Sequence, residues 1–129
     1  MAGTLVADTL MDGAGNSTAM DNAIYGSAKA WGSYAYVSAS VPTLRKAYNI
    51  SSITRSSTGV YVLAFTNALP DANYSVVSST NTGSPLSFAG ISSGQSKLTT
   101  SVTMYTGYAS TTSGGYTAFD QGFDFVVND

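Results

Sequence analysis

The chain has 129 residues, one domain's worth, and at that length roughly two-thirds of the unfolded surface can be buried without disulfides. Charged residues make up only 9%, against roughly 25% in an average globular protein, and the five cations, Lys29, Arg45, Lys46, Arg55 and Lys97, are too scattered for a phosphate-binding face, so nucleic acid is not an expected partner. Cysteine and histidine are both absent, which excludes a disulfide framework, a thiolate metal site, a thiol nucleophile and the usual general base.

All seven acids are aspartates, and a chain rich in Ser, Thr and Gly without Glu favours turns and strands over helices. No segment has the basic start and apolar run of a signal peptide, or the length to span a bilayer, so the expected product is made in the cytoplasm with no membrane partner. Without disulfides, oligomerisation is the commonest remaining route to rigidity.

Residues 1–26 mix small residues and aspartates with single aliphatic side chains. A short strand is possible at 4–6, and Asp12-Gly13-Ala14-Gly15-Asn16 is a run of turn formers. Asp12, Asn16 and Asp21 lack the spacing of a calcium loop. Leu5, Val6, Leu10, Met11, Met20 and Ile24 need burial somewhere, which predicts an extended attachment arm ordered on a neighbouring surface.

The β domain is expected over 27–129. It opens with Lys29-Ala30-Trp31, where Trp31, the sole tryptophan, reads as a core anchor, followed by the alternating Tyr34 and Tyr36. Pro42 ends the first strand. A β-branched run over 44–54 then pairs as a hairpin with GVYVLAF at 59–65, across a polar turn ending in Gly59. In GVYVLAF, Val60, Val62 and Ala64 fall on one side and Tyr61, Leu63 and Phe65 on the other, which suits a strand covered on both faces. Pro70, Asp71 and Asn73 mark a reversal into Tyr74-Ser75-Val76-Val77.

Residues 78–85 form a loop by composition, and 97–105 alternate as a strand with Leu98, Thr100, Val102 and Met104 on one face. A second polar loop over 106–115 is bordered by Tyr105, Tyr108 and Tyr116. In a last strand over 119–127, Phe119, Phe123, Phe125 and Val127 share one parity, and Asp120, Gly122 and Asp124 the other. Asp120 and Asp124 would stand roughly 13 Å apart at strand rise, too far for the roughly 5–9.5 Å of a glycosidase pair. No catalytic residue, metal site or cofactor is expected, and the protein is not read as an enzyme. Seven or so short strands separated by turn signals predict an all-β fold, an antiparallel β-sandwich preceded by the N-terminal arm.

Several of these segments form an ordered series along the chain. Lys29-Ala30-Trp31, then Arg45 with Tyr48, Asn49, Ser51, Ser52 and Ile53, then Thr58-Gly59 with Tyr61, and then Pro70-Asp71-Ala72-Asn73-Tyr74 follow one another in fixed order. Over about the central half of the chain this resembles a β module of bacteriophage tail fibres and related virion surface proteins. The chain departs from the pattern at Gly32-Ser33-Tyr34-Ala35-Tyr36, where the family has an Asn-Phe-Asn-Gly type of segment.

The resemblance implies a structural protein on the outer surface of a phage particle. Two roles compete within it. A capsid decoration, or cement, protein would bind the major capsid protein through its arm, with Leu5, Val6, Leu10, Met11 and Ile24 as contacts, and would typically be a homotrimer. A tail-fibre tip would bind a host surface glycan through outward loops, with Asn81, Tyr105, Tyr108 and Tyr116 as candidates. Decoration is preferred, because residues 1–26 suit lying on a shell better than joining a fibre to a tail. A carbohydrate-binding module unrelated to assembly is the competing class.

Overall fold

A computed structural model describes residues 3, 7–19, 27–38, 41–81, 87–91, 96–110 and 114–128. The described residues form twelve strands in two packed antiparallel sheets and a separate hairpin. The hairpin is β1 (Thr9–Met11) and β2 (Ser17–Ala19). One sheet has the order β4 (Val41–Tyr48), β3 (Ala30–Ser38), β12 (Phe123–Asn128) and β7 (Ser75–Thr80). The other is built around β10 (Ser101–Ala109), with β6 (Val60–Phe65) and β11 (Tyr116–Ala118) along one edge and β8 (Ser87–Gly90) and β9 (Lys97–Leu98) along the other. There β5 (Ile50–Ser57) pairs beyond β6. The expected antiparallel β-sandwich is the fold observed.

The core follows the predicted parities. Tyr61, Leu63 and Phe65 of β6, Val102 and Met104 of β10, and Phe123, Phe125 and Val127 of β12 are all buried between the sheets. Each such side chain contributes about 1.5–3 kcal/mol relative to exposure. Tyr34, Tyr61 and Phe123 form the centre, with ring centroids 4.9, 5.1 and 5.5 Å apart and tilted planes. Val60, Val62 and Ala64 are only half-buried, so β6 has one covered face and not two.

Four further expectations are corrected. The run over 44–54 is two strands in different sheets: β4 pairs with β3, the chain turns at Asn49 (φ 56°), and β5 pairs with β6. Alternation over 97–105 conceals a tight turn at Thr99 and Thr100, so Leu98 pairs with Ser101 and stays exposed. β10 then runs on to Ala109, which places Tyr105 and Tyr108 in a strand and not in a loop. The last strand begins at Phe123, leaving Phe119 exposed and Asp120 buried, the reverse of their predicted sides.

The two sheets are fastened at several points. At one corner Asn49 donates from Nδ2 to the carbonyls of Lys29 (3.0 Å) and Asn67 (3.1 Å) and accepts the Asn67 amide at Oδ1 (2.8 Å). An asparagine tolerates the left-handed backbone that this corner needs. Elsewhere the Pro70–Tyr74 turn acts as a clasp. Asp71 accepts the Asn73 amide at 2.6 Å, and the buried Tyr74 packs edge-on against Phe65 and donates to the carbonyls of Leu98 and Ser101. Along the opposite edge Ser78 of β7 donates to the Ala89 carbonyl of β8 at 2.8 Å.

Candidate functional site

The most tightly bonded polar cluster is centred on Asp120. Arg55 reaches it from β5 through Nε (3.0 Å to each oxygen) and Nη2 (2.8 Å), and Nη2 also donates to Thr58. The Gly59 amide (2.8 Å) and the Tyr61 hydroxyl (2.7 Å) donate to Asp120 Oδ1. Burial pushes the Asp120 carboxyl up, but Arg55, the Gly59 amide and the Tyr61 hydroxyl outweigh it and hold the carboxyl below its ordinary value. Burial, with Asp120 and Tyr34 as neighbours, pushes the Tyr61 phenol far up. Every strong donor here points at one carboxylate, so the cluster locks the β5–β6 turn to the segment before β12. Gly59 (φ +68°) has no room for a side chain, since a Cβ would run into the Thr106 carbonyl and come within 2.9 Å of the Phe119 amide. Asp124 belongs to a different network, so the two aspartates of the final segment are not arranged as a pair.

Leu5, Val6, Met20 and Ile24 of the expected arm, Asp21, and the proposed strand at 4–6 lie outside the described residues. Leu10 (40% exposed) and Met11 (71% exposed) sit on β1, and residues 8–17 are exposed throughout. Within the expected arm the chain therefore folds back on itself between Thr9 and Ala19. Asp12 organises the turn: its Oδ1 accepts the amides of Ala14 and Asn16 (both 2.9 Å), and its Oδ2 accepts Asn16 Nδ2. Those bonds, the Asn16 side chain first, hold its carboxyl below the ordinary value. Gly15 supplies a positive φ of 87°.

The candidate recognition residues do not form one surface. Asn81 is half-buried and turned inward, its Nδ2 donating to Asp124 Oδ1 (2.9 Å) and the Tyr34 carbonyl (3.2 Å). Tyr105 is half-buried in β10. Tyr108 packs edge-on against Phe119, and Tyr116, 62% exposed, against Phe88, but strand pairing sets Tyr108 beside Thr117 and Tyr116 beside Ala109, so the two ring pairs lie on opposite faces of the sheet.

No sequence signal marks one further concavity among the described residues. It is a cleft of about 440 Å³ across the outer face of the four-stranded sheet, lined by residues of all four strands. Cross-strand pairing sets two parallel rows on this face. Tyr48, Trp31, Val126 and Val77 make an apolar row, and Lys46, Ser33, Asp124 and Ser79 a polar row beside it. Trp31 is therefore not a core anchor. Its neighbours Ala30 and Gly32 face inward, and a Cβ on Gly32 would come within 3.0 Å of the Phe125 ring, so the core takes the small residues and the indole lies outside. Lys46 Nζ stands 6.0 Å from the centre of that ring.

Comparison of the chain with protein-family models, with curated proteins and with solved structures finds no match in any of the three.

Proposed function

We propose that this protein is a structural component of a bacteriophage particle that works by binding, and that its first role is capsid decoration. The observation that carries the decoration reading is the exposed hairpin. Two short strands alone are marginally stable in water, and Leu10 and Met11 stand on them 40% and 71% exposed. A hairpin of this kind gains its burial on a partner surface, here the major capsid protein. Homotrimer formation on the outer virion surface is part of the proposal, with exposed Leu98 and Phe119 as apolar area available to neighbouring copies. The resemblance of the motif series to phage fibre proteins is what suggests the virion setting.

The aromatic pair of Phe88 and Tyr116, the latter 62% exposed, favours a second reading, a fibre tip that meets the host surface. Sedimentation separates the two. The protein is incubated with undecorated phage heads and, separately, with host cells. Saturable binding to heads at a fixed ratio per capsid subunit supports decoration. Binding to cells alone moves the protein to the fibre tip, and binding to neither overturns both readings.

A further inference from the structure

We propose that the cleft on the outer face of the four-stranded sheet is a saccharide-binding site. This inference rests on the cleft alone and holds whether the protein sits on a head or a fibre. A sugar ring is two-sided in its chemistry, with an apolar C–H face and an equatorial rim of hydroxyl groups. The cleft has the matching division, an apolar row running through Trp31 and Val126 and, one strand step away, a polar row running through Ser33 and Asp124. Indole is the side chain best suited to pack against the C–H face, because it offers a large rigid surface at low rotamer cost.

The carboxylate is fixed in place. Asn81 Nδ2 holds Asp124 Oδ1 at 2.9 Å and is itself tied to the Tyr34 carbonyl at 3.2 Å, while Asp124 Oδ2 has no partner among the described residues. One oxygen is thus anchored from behind and the other is left to accept from a ligand hydroxyl. Charge-assisted bonds of this kind are roughly twice as strong as neutral ones. Ser33 and Ser79 flank Asp124 and can donate or accept, and Lys46 contributes donors at the rim. Val77, 65% exposed at the cleft wall, gains burial when a ring occupies the site. Asn81 is assigned the part of a positioning residue, acting through Asp124.

The sole tryptophan makes the test direct, since any change in indole emission comes from this cleft. The full-length chain is titrated with oligosaccharides of glucose, galactose, rhamnose, N-acetylglucosamine and glucuronate while fluorescence is followed, and affinities are measured by calorimetry. At least one sugar should give a saturable blue shift. Asp124→Asn should weaken that binding about tenfold by removing a charge-assisted bond, and Val77→Glu, at an exposed position that leaves the fold unaffected, should abolish it. Asn81→Ala should weaken it without changing which sugar is preferred, whereas Asp71→Asn should bind as the parent does. Silence towards the whole panel, or binding that survives both Asp124→Asn and Val77→Glu, overturns the proposal.

Discussion

The side-chain amide of Asn49 donates to the main-chain carbonyl of Lys29 at 3.0 Å, joining the point where the chain leaves the four-stranded sheet to the residue just before that sheet begins. Replacing Asn49 by Ala removes two donated bonds and one accepted bond and leaves a β-carbon at φ 56°. The expected loss is about 2–4 kcal/mol, at about 1 kcal/mol per bond plus the left-handed strain. Asn49→Gly should be less damaging by about 1 kcal/mol, because glycine adopts this backbone freely. Urea unfolding of the two variants side by side checks both numbers.

Acid should weaken the fold through Asp120. Its carboxyl titrates lower in the folded state than when unfolded, so between the two values the unfolded chain binds more protons and stability rises with pH. The contribution is full above the unfolded value near 4 and is lost as pH falls through the folded one. Asp120→Asn should cost about 2–3 kcal/mol at pH 7, since the Arg55 guanidinium loses its counter-charge. The gap between parent and variant should narrow as pH falls below the unfolded value and through the folded one. Melting curves across that range test the sign as well as the size.

At the alkaline end the sign reverses. Burial raises the phenols of Tyr34, Tyr61 and Tyr74, so the folded state keeps protons that the unfolded state gives up. Stability is complete below the unfolded value near 10 and declines as pH rises past it. Ultraviolet titration should show these phenols ionising together with loss of near-ultraviolet dichroism. Tyr61→Phe, which keeps the ring and removes the bond to Asp120, should cost about 2 kcal/mol at neutral pH.

Gly59→Ala should be among the most damaging single substitutions. It places a side chain at φ +68° against the backbone of Thr106 and Phe119, neither of which can move without breaking strand pairing. A loss of about 3 kcal/mol or more is expected, read as a lower denaturation midpoint with unchanged slope.

Strand parity makes the core legible in the sequence. Val102, Met104, Phe123 and Phe125 alternate with mostly polar neighbours and are buried, as are Tyr61, Leu63 and Phe65, although apolar Val60, Val62 and Ala64 between them hide which face of that strand is covered. The break at Asn49 is not legible, because two strands in succession look the same in sequence whether they share a sheet or change sheets. What decides it is which partner each half finds, β3 or β6, a long-range matter. The clustering of Thr58, Gly59 and Tyr61 on Asp120 is hidden for a similar reason: parity puts Asp120 on an open face. The surplus of donors in Arg55, Thr58, the Gly59 amide and Tyr61, with no acid near them in sequence, is the signal that could have found it. Asn49, Thr58, Gly59, Tyr61 and Tyr74 thus serve the fold itself, at the Asn49 corner, the Asp120 cluster and the Tyr74 clasp. Trp31 is the exception, turned outward because Phe125 requires Gly32 beside it in the core.

The proposed attachment to phage heads is tested most directly by amide hydrogen exchange on the protein free and bound to undecorated heads. The account predicts new protection over residues 9–19, where Leu10 and Met11 stand exposed, with the β5–β6 turn around Gly59 unchanged. Protection elsewhere with none in the hairpin, or no difference between the two states, would contradict attachment through this segment.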